Sequence, residues 1–402
     1  MAHTRAGREI SRMTHIARLS AAALMVLSSG VLGACAALSG HRAATWTLSP
    51  AIADSVRTES IAKGVRLHHL VRTATPLRAH VLDIDLKACV SVRAVKGAPT
   101  ALGRTTTSDL LRAPPDVDVP LAAVNADFFT IAAGGPQGLP VGAMVENGRL
   151  LSGPITRPVF WLSGAGHPSI GTLSVRGAVV TLRGRVPVSS WNRPSANAVG
   201  LVDAAWGLPL DSTSRVGAML LVPQGGSQYR ISVLPASHPG VARADTMLLV
   251  GIARASLLEG DVVRVELSLA PAMPWQAVGG YPLLLADSVI VPNVDTDGAA
   301  SFRGVNPRTA AGFADKGRRL LLVVIDGRQA GYSAGTTTRE TAELLRALGA
   351  REAVNLDGGG STAMVVRDVA TGQVRVVNKP SDPTGERPVG NALVVTGTCS
   401  RR

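Results

Sequence analysis

The residues richest in chemistry gather in one stretch. Asp326 and Asp357 each follow a short apolar run, residues 320–325 and 353–356. The first run has the length and β-branched content of a strand buried on both faces. Between the runs, Thr337 and Glu340 stand at capping-box spacing. Leu344, Leu345 and Leu348 share one helix face, and Gly349 can close the helix. A strand, a helix and a strand in this order join parallel strands. Both carboxylates should therefore emerge at one carboxyl edge of the sheet, the edge that ligands favour. Two acids so placed are equipped for proton transfer or nucleophilic attack.

Asp357 opens the run Asp-Gly-Gly-Gly-Ser-Thr, residues 357–362. Three glycines after a buried strand cost stability unless the backbone needs unusual angles or a close approach. Such loops expose N–H groups that bind anions, which makes Gly358, Gly359, Ser361 and Thr362 candidate ligands. The run is no P-loop, since the spacing and the lysine are missing. It is no nucleophile elbow either, because Ala363 stands where the second glycine is required. Ser361 as the nucleophile of an acyl hydrolase is accordingly disfavoured. Arg308, Arg328 and Arg387 each sit in a loop flanked by strand-like segments. Any one of them reads as a surface ion pair, but three guanidiniums beside two acidic strand ends suit a phosphate. Asn125 and Asp127, directly before Phe128-Phe129, end another apolar run and are also site candidates. The alternative there is an Asx turn over two core phenylalanines.

All eight histidines precede residue 239, so the motif-rich half has none, and no zinc pattern or local Ser–His–Asp triad can be drawn. Chemistry should rest on carboxylates and arginines. No cofactor is called for. Ca2+ is the one ion worth weighing: Asn293, Asp295, Asp297 and Gly298 match the first half of a calcium loop, but Gly304 replaces its closing acid and a loop-tip turn fits better. The net charge of +13 comes almost wholly from scattered arginines, with aromatics at only 3%. That pattern excludes a nucleic-acid binder with a basic, aromatic-studded stripe.

At the N-terminus, Arg5, Arg8, Arg12 and Arg18 precede an uncharged apolar stretch, the layout of a secretory signal over residues 1–34. It ends in Leu32-Gly33-Ala34-Cys35, similar to a bacterial lipobox, so Cys35 is the expected lipidation site and the membrane an expected partner. Export to the cell envelope follows. Cys89 and Cys399 are then free to pair or to stay reduced. Residues 35–60 read as a tether. Residues 61–167 and 271–402 read as two parts of one domain, interrupted at 168–270 by a β-rich insertion of short runs. Trp191-Asn192-Arg193-Pro194 and Trp206 lie in the insertion, either facing a sugar or forming core. The expected class is α+β: a mixed sheet with packed helices and this β-rich insertion.

Asn-Ala-Asp-Phe-Phe at 125–129, Asn-Pro-Arg-Thr-Ala at 306–310, the 320–364 stretch and Arg-Pro-Val-Gly-Asn at 387–391 occur in an order that resembles the phosphodiester glycosidase family. The resemblance is strongest over residues 306–395. It implies hydrolysis of a glycosyl-1-phosphodiester to a free sugar and a phosphomonoester, with a phosphorylated glycan or nucleotide-sugar-like compound as substrate. Position by position it marks Asn125, Arg308, Asp326, Arg328, Asp357, Ser361, Thr362, Glu386 and Arg387. Asp127 departs from it, since the family has a small residue there. The expected catalytic groups are Asp357, Asp326 and Glu386, with the arginines on the phosphate. The alternative is a non-catalytic envelope lipoprotein that binds phosphorylated glycans or takes part in exopolysaccharide metabolism.

Overall fold

The computed structural model describes residues 46–112, 119–251, 257–296 and 303–398. The signal-like segment, Cys35 and Cys399 lie outside them. Among the described residues no helix is long and apolar enough to cross a membrane.

The strand Arg319–Ile325 is buried on both faces, as its uninterrupted apolar sequence demands. Leu320, Leu322 and Val324 enter one core, and Leu321, Val323 and Ile325 enter another. It lies in the middle of an eight-stranded antiparallel sheet. On one side stand Leu77–Asp85, Val65–Arg72 and Ser55–Ala62; on the other, Arg308–Ala314, Glu352–Asn355, Leu283–Ala286 and Val289–Ile290. The helix Thr338–Ala347 starts at a capping box made by Thr337 and Glu340 and lays Ala342, Leu344 and Leu345 on one face of this sheet.

The other face meets a five-stranded sheet ordered Val374–Val376, Met364–Arg367, Val119–Asn125, Ala392–Gly397, Val90–Val95. Leu322 and Val324 share a core with Val124, Met364 and Leu393. Residues 177–266 supply a second eight-stranded sheet, whose Trp191, Leu201 and Leu221 pack on Val159 and Trp161 of a second five-stranded sheet. Cys89 is disulfide-bonded, and the Thr398 N–H donates to its carbonyl at 3.0 Å.

The α+β expectation fails here. The chain is mostly β, and its α-helices among the described residues are Thr107–Arg112, Ser212–Arg215 and Thr338–Ala347. The physical reason is that the sheets bury one another's apolar faces, so a layer of helices has little left to cover. The one strong helix signal in the sequence is real but local.

Strand order supplies a detail that the sequence left open. Arg308–Ala314 runs between Arg319–Ile325 and Glu352–Asn355, antiparallel to both. The two strands that lead to Asp326 and Asp357 are thus parallel but not neighbours, roughly 10 Å apart at the usual strand spacing. Arg308 begins the strand between them, at the same edge.

Candidate active site

The edges of the two central sheets are stitched together by Asn125. This residue ends Val119–Asn125, is fully buried and uses its whole amide. Its Nδ2 donates to Asp357 O at 2.7 Å, and its Oδ1 accepts from Thr309 Oγ1 at 2.6 Å and Ala363 N at 3.1 Å. The Asp357 N–H in turn donates to Ala126 O at 2.8 Å. These bonds fix the glycine turn against the start of Arg308–Ala314.

The turn forms the floor of a cavity of about 280 Å³. Arg308, Arg328 and Arg387 line it together with Asp357, and Phe128, Phe129 and Ile131 form an apolar wall. Each guanidinium is anchored through Nε: Arg308 to Thr336 O at 3.0 Å, Arg328 to Asn306 Oδ1 at 3.2 Å, and Arg387 to Asp382 Oδ2 at 2.7 Å. Two of the glycines are there because the arginines come so close. A Cβ on Gly360 would collide with the Arg387 guanidinium. Gly359 holds φ at +61°, and a Cβ there would sit 3.1 Å from Arg328. Burial, and then the charge of Arg328, push Arg308 down to about 10. Three cations crowd a space that holds one carboxyl.

Burial pushes that carboxyl, Asp357, up to about 6, against the pull of the Ser361 hydroxyl, the Gly358 N–H and Arg387. Behind it lies Asp127, 2% exposed and pushed up to about 7, chiefly by burial. The Gly142 N–H and Arg193 pull Asp127 down, and the charge of Asp357 pushes it up. The Asp127 N–H donates to Asn391 Oδ1 at 2.8 Å, and Gly142 N donates to its Oδ2 at 2.8 Å. A Cβ on Gly279 would lie 2.6 Å from that same oxygen.

One cavity therefore gathers Asp357, Arg308, Arg328, Arg387, Gly358, Gly359 and Ser361. The other marked residues go elsewhere. Asp326 is buried and does not line the cavity. It accepts from His80 Nε2 and Tyr332 Oη, each at 3.3 Å, from Asn378 Nδ2 at 3.1 Å and from Lys379 N at 2.9 Å. Glu386 accepts from Ser108 N and Ser108 Oγ, each at 2.7 Å, in the first turn of Thr107–Arg112. Asn125 and Asp127 sit beneath the floor, and the Thr362 hydroxyl is buried with no hydrogen-bond partner. Asp295 accepts from Thr338 Oγ1 and Arg339 N at the start of the long helix. Asp297 and Gly298 lie outside the described residues. Among the described residues no group of three or more His, Cys, Asp or Glu could hold a metal ion.

Sequence reasoning missed two contributors and left the part played by a third, Arg193, open. Asn306, which holds Arg328, and Asn355, which lines the cavity, stand inside motifs that were read for their charged members. Arg193 comes from the middle sheet's territory and clasps the segment that seats Asp127. It donates to Gly153 O, Pro140 O, Val141 O and Gly142 O at 2.8 Å and to Ser152 Oγ at 2.7 Å. Trp191 and Asn192 beside it donate to Leu150 O and Leu151 O, each at 3.0 Å.

The two raised carboxyls set a pH dependence. A carboxyl with a folded pKa above its unfolded value gives stability that is complete below the unfolded value and lost as pH rises through the folded one. For Asp127 and Asp357 that window runs from about 4 to about 7. Asp127 alone should contribute a loss on the order of 2–4 kcal/mol between pH 4 and pH 8, read by urea unfolding as the difference between the wild type and Asp127→Asn, because His69, pushed down to about 4 by burial, runs the other way over part of that range. Asp127→Asn should flatten the slope; an unchanged slope in that variant would contradict the assignment.

Residues 241–396 match the family model described as phosphodiester glycosidase. No curated protein matches the chain. Among solved structures, a hypothetical protein from Synechocystis is similar with a TM-score of 0.69 at 23% identity, over 86% of this chain and 64% of that one. The likeness is one of fold, and this chain spans less than two thirds of that protein's length. A Burkholderia pseudomallei K96243 protein, described provisionally as exported, gives 0.58 at 26% identity, over 80% of this chain and 74% of that one. The catalytic domain of zebrafish N-acetylglucosamine-1-phosphodiester alpha-N-acetylglucosaminidase, auto-inhibited by its pro-peptide, gives 0.43 at 16% identity over 84% and 80%, too low to argue from. Residues 241–396, which carry the three arginines, Asp357 and the glycine turn, belong to the phosphodiester glycosidase family.

Proposed function

We propose that the protein hydrolyses a glycosyl-1-phosphodiester, releasing the sugar and leaving a phosphomonoester. The observation that carries this reading is the meeting of one carboxyl, Asp357, with three anchored guanidiniums in a single cavity. A phosphodiester bound there relieves the crowding of Arg308 and Arg328 and accepts paired hydrogen bonds from planar donors. The wall of Phe128, Phe129 and Ile131 suits the C–H face of a sugar ring.

In the reaction the bond between the anomeric carbon and the bridging oxygen breaks, and its electron pair stays on the phosphate. A phosphate leaves with less protonation than an alkoxide, so arginines can do much of what a general acid does elsewhere. Asp357, ionised above about 6, meets the anomeric carbon or takes the proton of the attacking water. Asp127 stands behind it and, pushed up to about 7 chiefly by burial, keeps its proton to a higher pH than Asp357 does. Asp326 and Glu386 hold neighbouring segments through the bonds described above. The substrate is a phosphorylated glycan or nucleotide-sugar-like compound, met outside the cytoplasm by a chain exported through its N-terminal segment and lipidated at Cys35.

Reducing-sugar release from UDP-GlcNAc and from an N-acetylglucosamine-1-phosphodiester tests the reading, and turnover of at least one is expected. Calorimetric binding of both without any release would sink the hydrolase and leave a glycan-binding protein.

A further inference from the structure

A second cavity, of about 340 Å³, shares no lining residue with the first. Trp275 is one of the residues that line it. Of the five tryptophans, Trp161, Trp191 and Trp206 are buried and Trp46 is half-buried, whereas Trp275 is 50% exposed. Leaving so large an apolar ring in water is unfavourable unless something covers it.

The ring is held, not loose. Trp275 N donates to Leu162 O at 2.8 Å, and the ring lies on Gly148, where a Cβ would come within 2.9 Å of Cζ3. Gly148 is the second residue of the Asn147–Gly148 turn. The neighbouring Gln276 ties that turn to the adjacent sheet: its Nε2 donates to Asn147 Oδ1 at 2.8 Å, and its Oε1 accepts from Ala94 N at 3.1 Å. The indole is thus clamped from behind and fixed in register with the strand Val90–Val95, which brings Ser91 and Arg93 to the same cavity. Ser163 completes the rim. Its hydroxyl accepts from His167 N at 3.2 Å and keeps its own proton to give.

A preset aromatic plane beside hydroxyls and a guanidinium matches one ligand class well. A pyranose has an apolar C–H face to lay on the indole and hydroxyls around its edge, one of which can take the Ser163 proton; Ser91, on the same wall, already shares a hydrogen bond with Thr396 Oγ1 at 2.7 Å. A purely apolar ligand would bury the Ser163 hydroxyl proton unused, and a bare anion would leave the ring uncovered. The volume falls in the range of small-ligand sites. We propose that this cavity is a second carbohydrate-binding site, in which a neutral sugar unit of an oligosaccharide stacks on Trp275. The proposal does not depend on the phosphodiester chemistry of the first cavity. The strand Gln276–Gly279 leads from Trp275 to the glycine that abuts Asp127, so a strand, not a loop, sets the spacing between the two sites.

The experiment titrates maltotetraose, cellotetraose and chitotetraose against the wild type, Trp275→Ala, Trp275→Phe and Asp357→Asn, read by tryptophan emission and calorimetry. At least one tetrasaccharide should bind the wild type and Asp357→Asn alike and shift the emission. Trp275→Ala should weaken that binding at least tenfold with an unchanged melting temperature, and Trp275→Phe should fall between. Three results would overturn the proposal: no tetrasaccharide binds the wild type, Trp275→Ala binds as the wild type does, or Asp357→Asn abolishes binding and so places the sugar in the first cavity.

Discussion

Asp357→Asn should remove turnover of a glycosyl-1-phosphodiester, lowering kcat by about 10³-fold, while substrate affinity stays within a few-fold. Asparagine keeps the shape of the side chain and can still accept from the Gly358 N–H, which lies 3.0 Å from Asp357 Oδ1. What it loses is the charge that attacks carbon or takes a proton. Affinity should survive because Arg308, Arg328 and Arg387 are untouched and anchored independently. Single-turnover kinetics separate the chemical step from binding. Asp326→Asn and Glu386→Gln are the informative comparisons, because each removes a carboxylate whose bonds are structural. Their cost should appear in stability first. A kcat for Asp357→Asn close to that of the wild type would end its assignment.

The second large effect is expected far from any charge on the substrate. Arg193→Met should cost about 3–5 kcal/mol of stability, because it removes a half-buried guanidinium that five acceptors share. Five acceptors in residues 140–153 lose their donor at once, and each buried acceptor left alone costs about 1–3 kcal/mol where water cannot enter. A second consequence reaches the site. Gly142 both accepts from Arg193 and donates to Asp127, so its displacement loosens the seat of that carboxyl. The guanidinium that pulls Asp127 down is also gone. The fall in stability with pH should therefore steepen and extend to higher pH than in the wild type. Urea midpoints at pH 5 and pH 8 measure both effects. An unfolding free energy within about 0.5 kcal/mol of the wild type would show that the clasp is not needed.

How far the sequence could be read follows from these cases. Local signals were legible because their physics is local: the buried run at 319–325, the Thr337–Glu340 capping box and the glycines before Ser361 each declare themselves within a few residues. Strand order was not legible. The strand Arg308–Ala314 contains Gly312 and three alanines and carries little pattern, yet it inserts between the two strands that lead to acids. The direction taken by an acid at a strand end was not legible either. Asp326 turns toward His80, Tyr332 and Asn378, groups from three separate segments. The absence of histidine after residue 238 gave no warning that His80 would come to it. Arg193 is hidden for a related reason, since four of its five partners are backbone carbonyls, which every residue has. The class itself was over-read from one good helix.

The place of the last strand has a consequence for biosynthesis. Ala392–Gly397 does not finish its sheet at an edge; it lies between Val119–Asn125 and Val90–Val95, bonded to both. Asn391, just before it, holds the backbone of Asp127. Until residues 391–397 have left the ribosome, the two early strands have no partner between them and the floor of the first cavity cannot close. A chain that cannot complete its central sheet early stays unfolded while it is made, the state in which polypeptides thread a secretion channel. Trimming the C-terminus back to residue 390 should thus abolish the native fold instead of fraying one end.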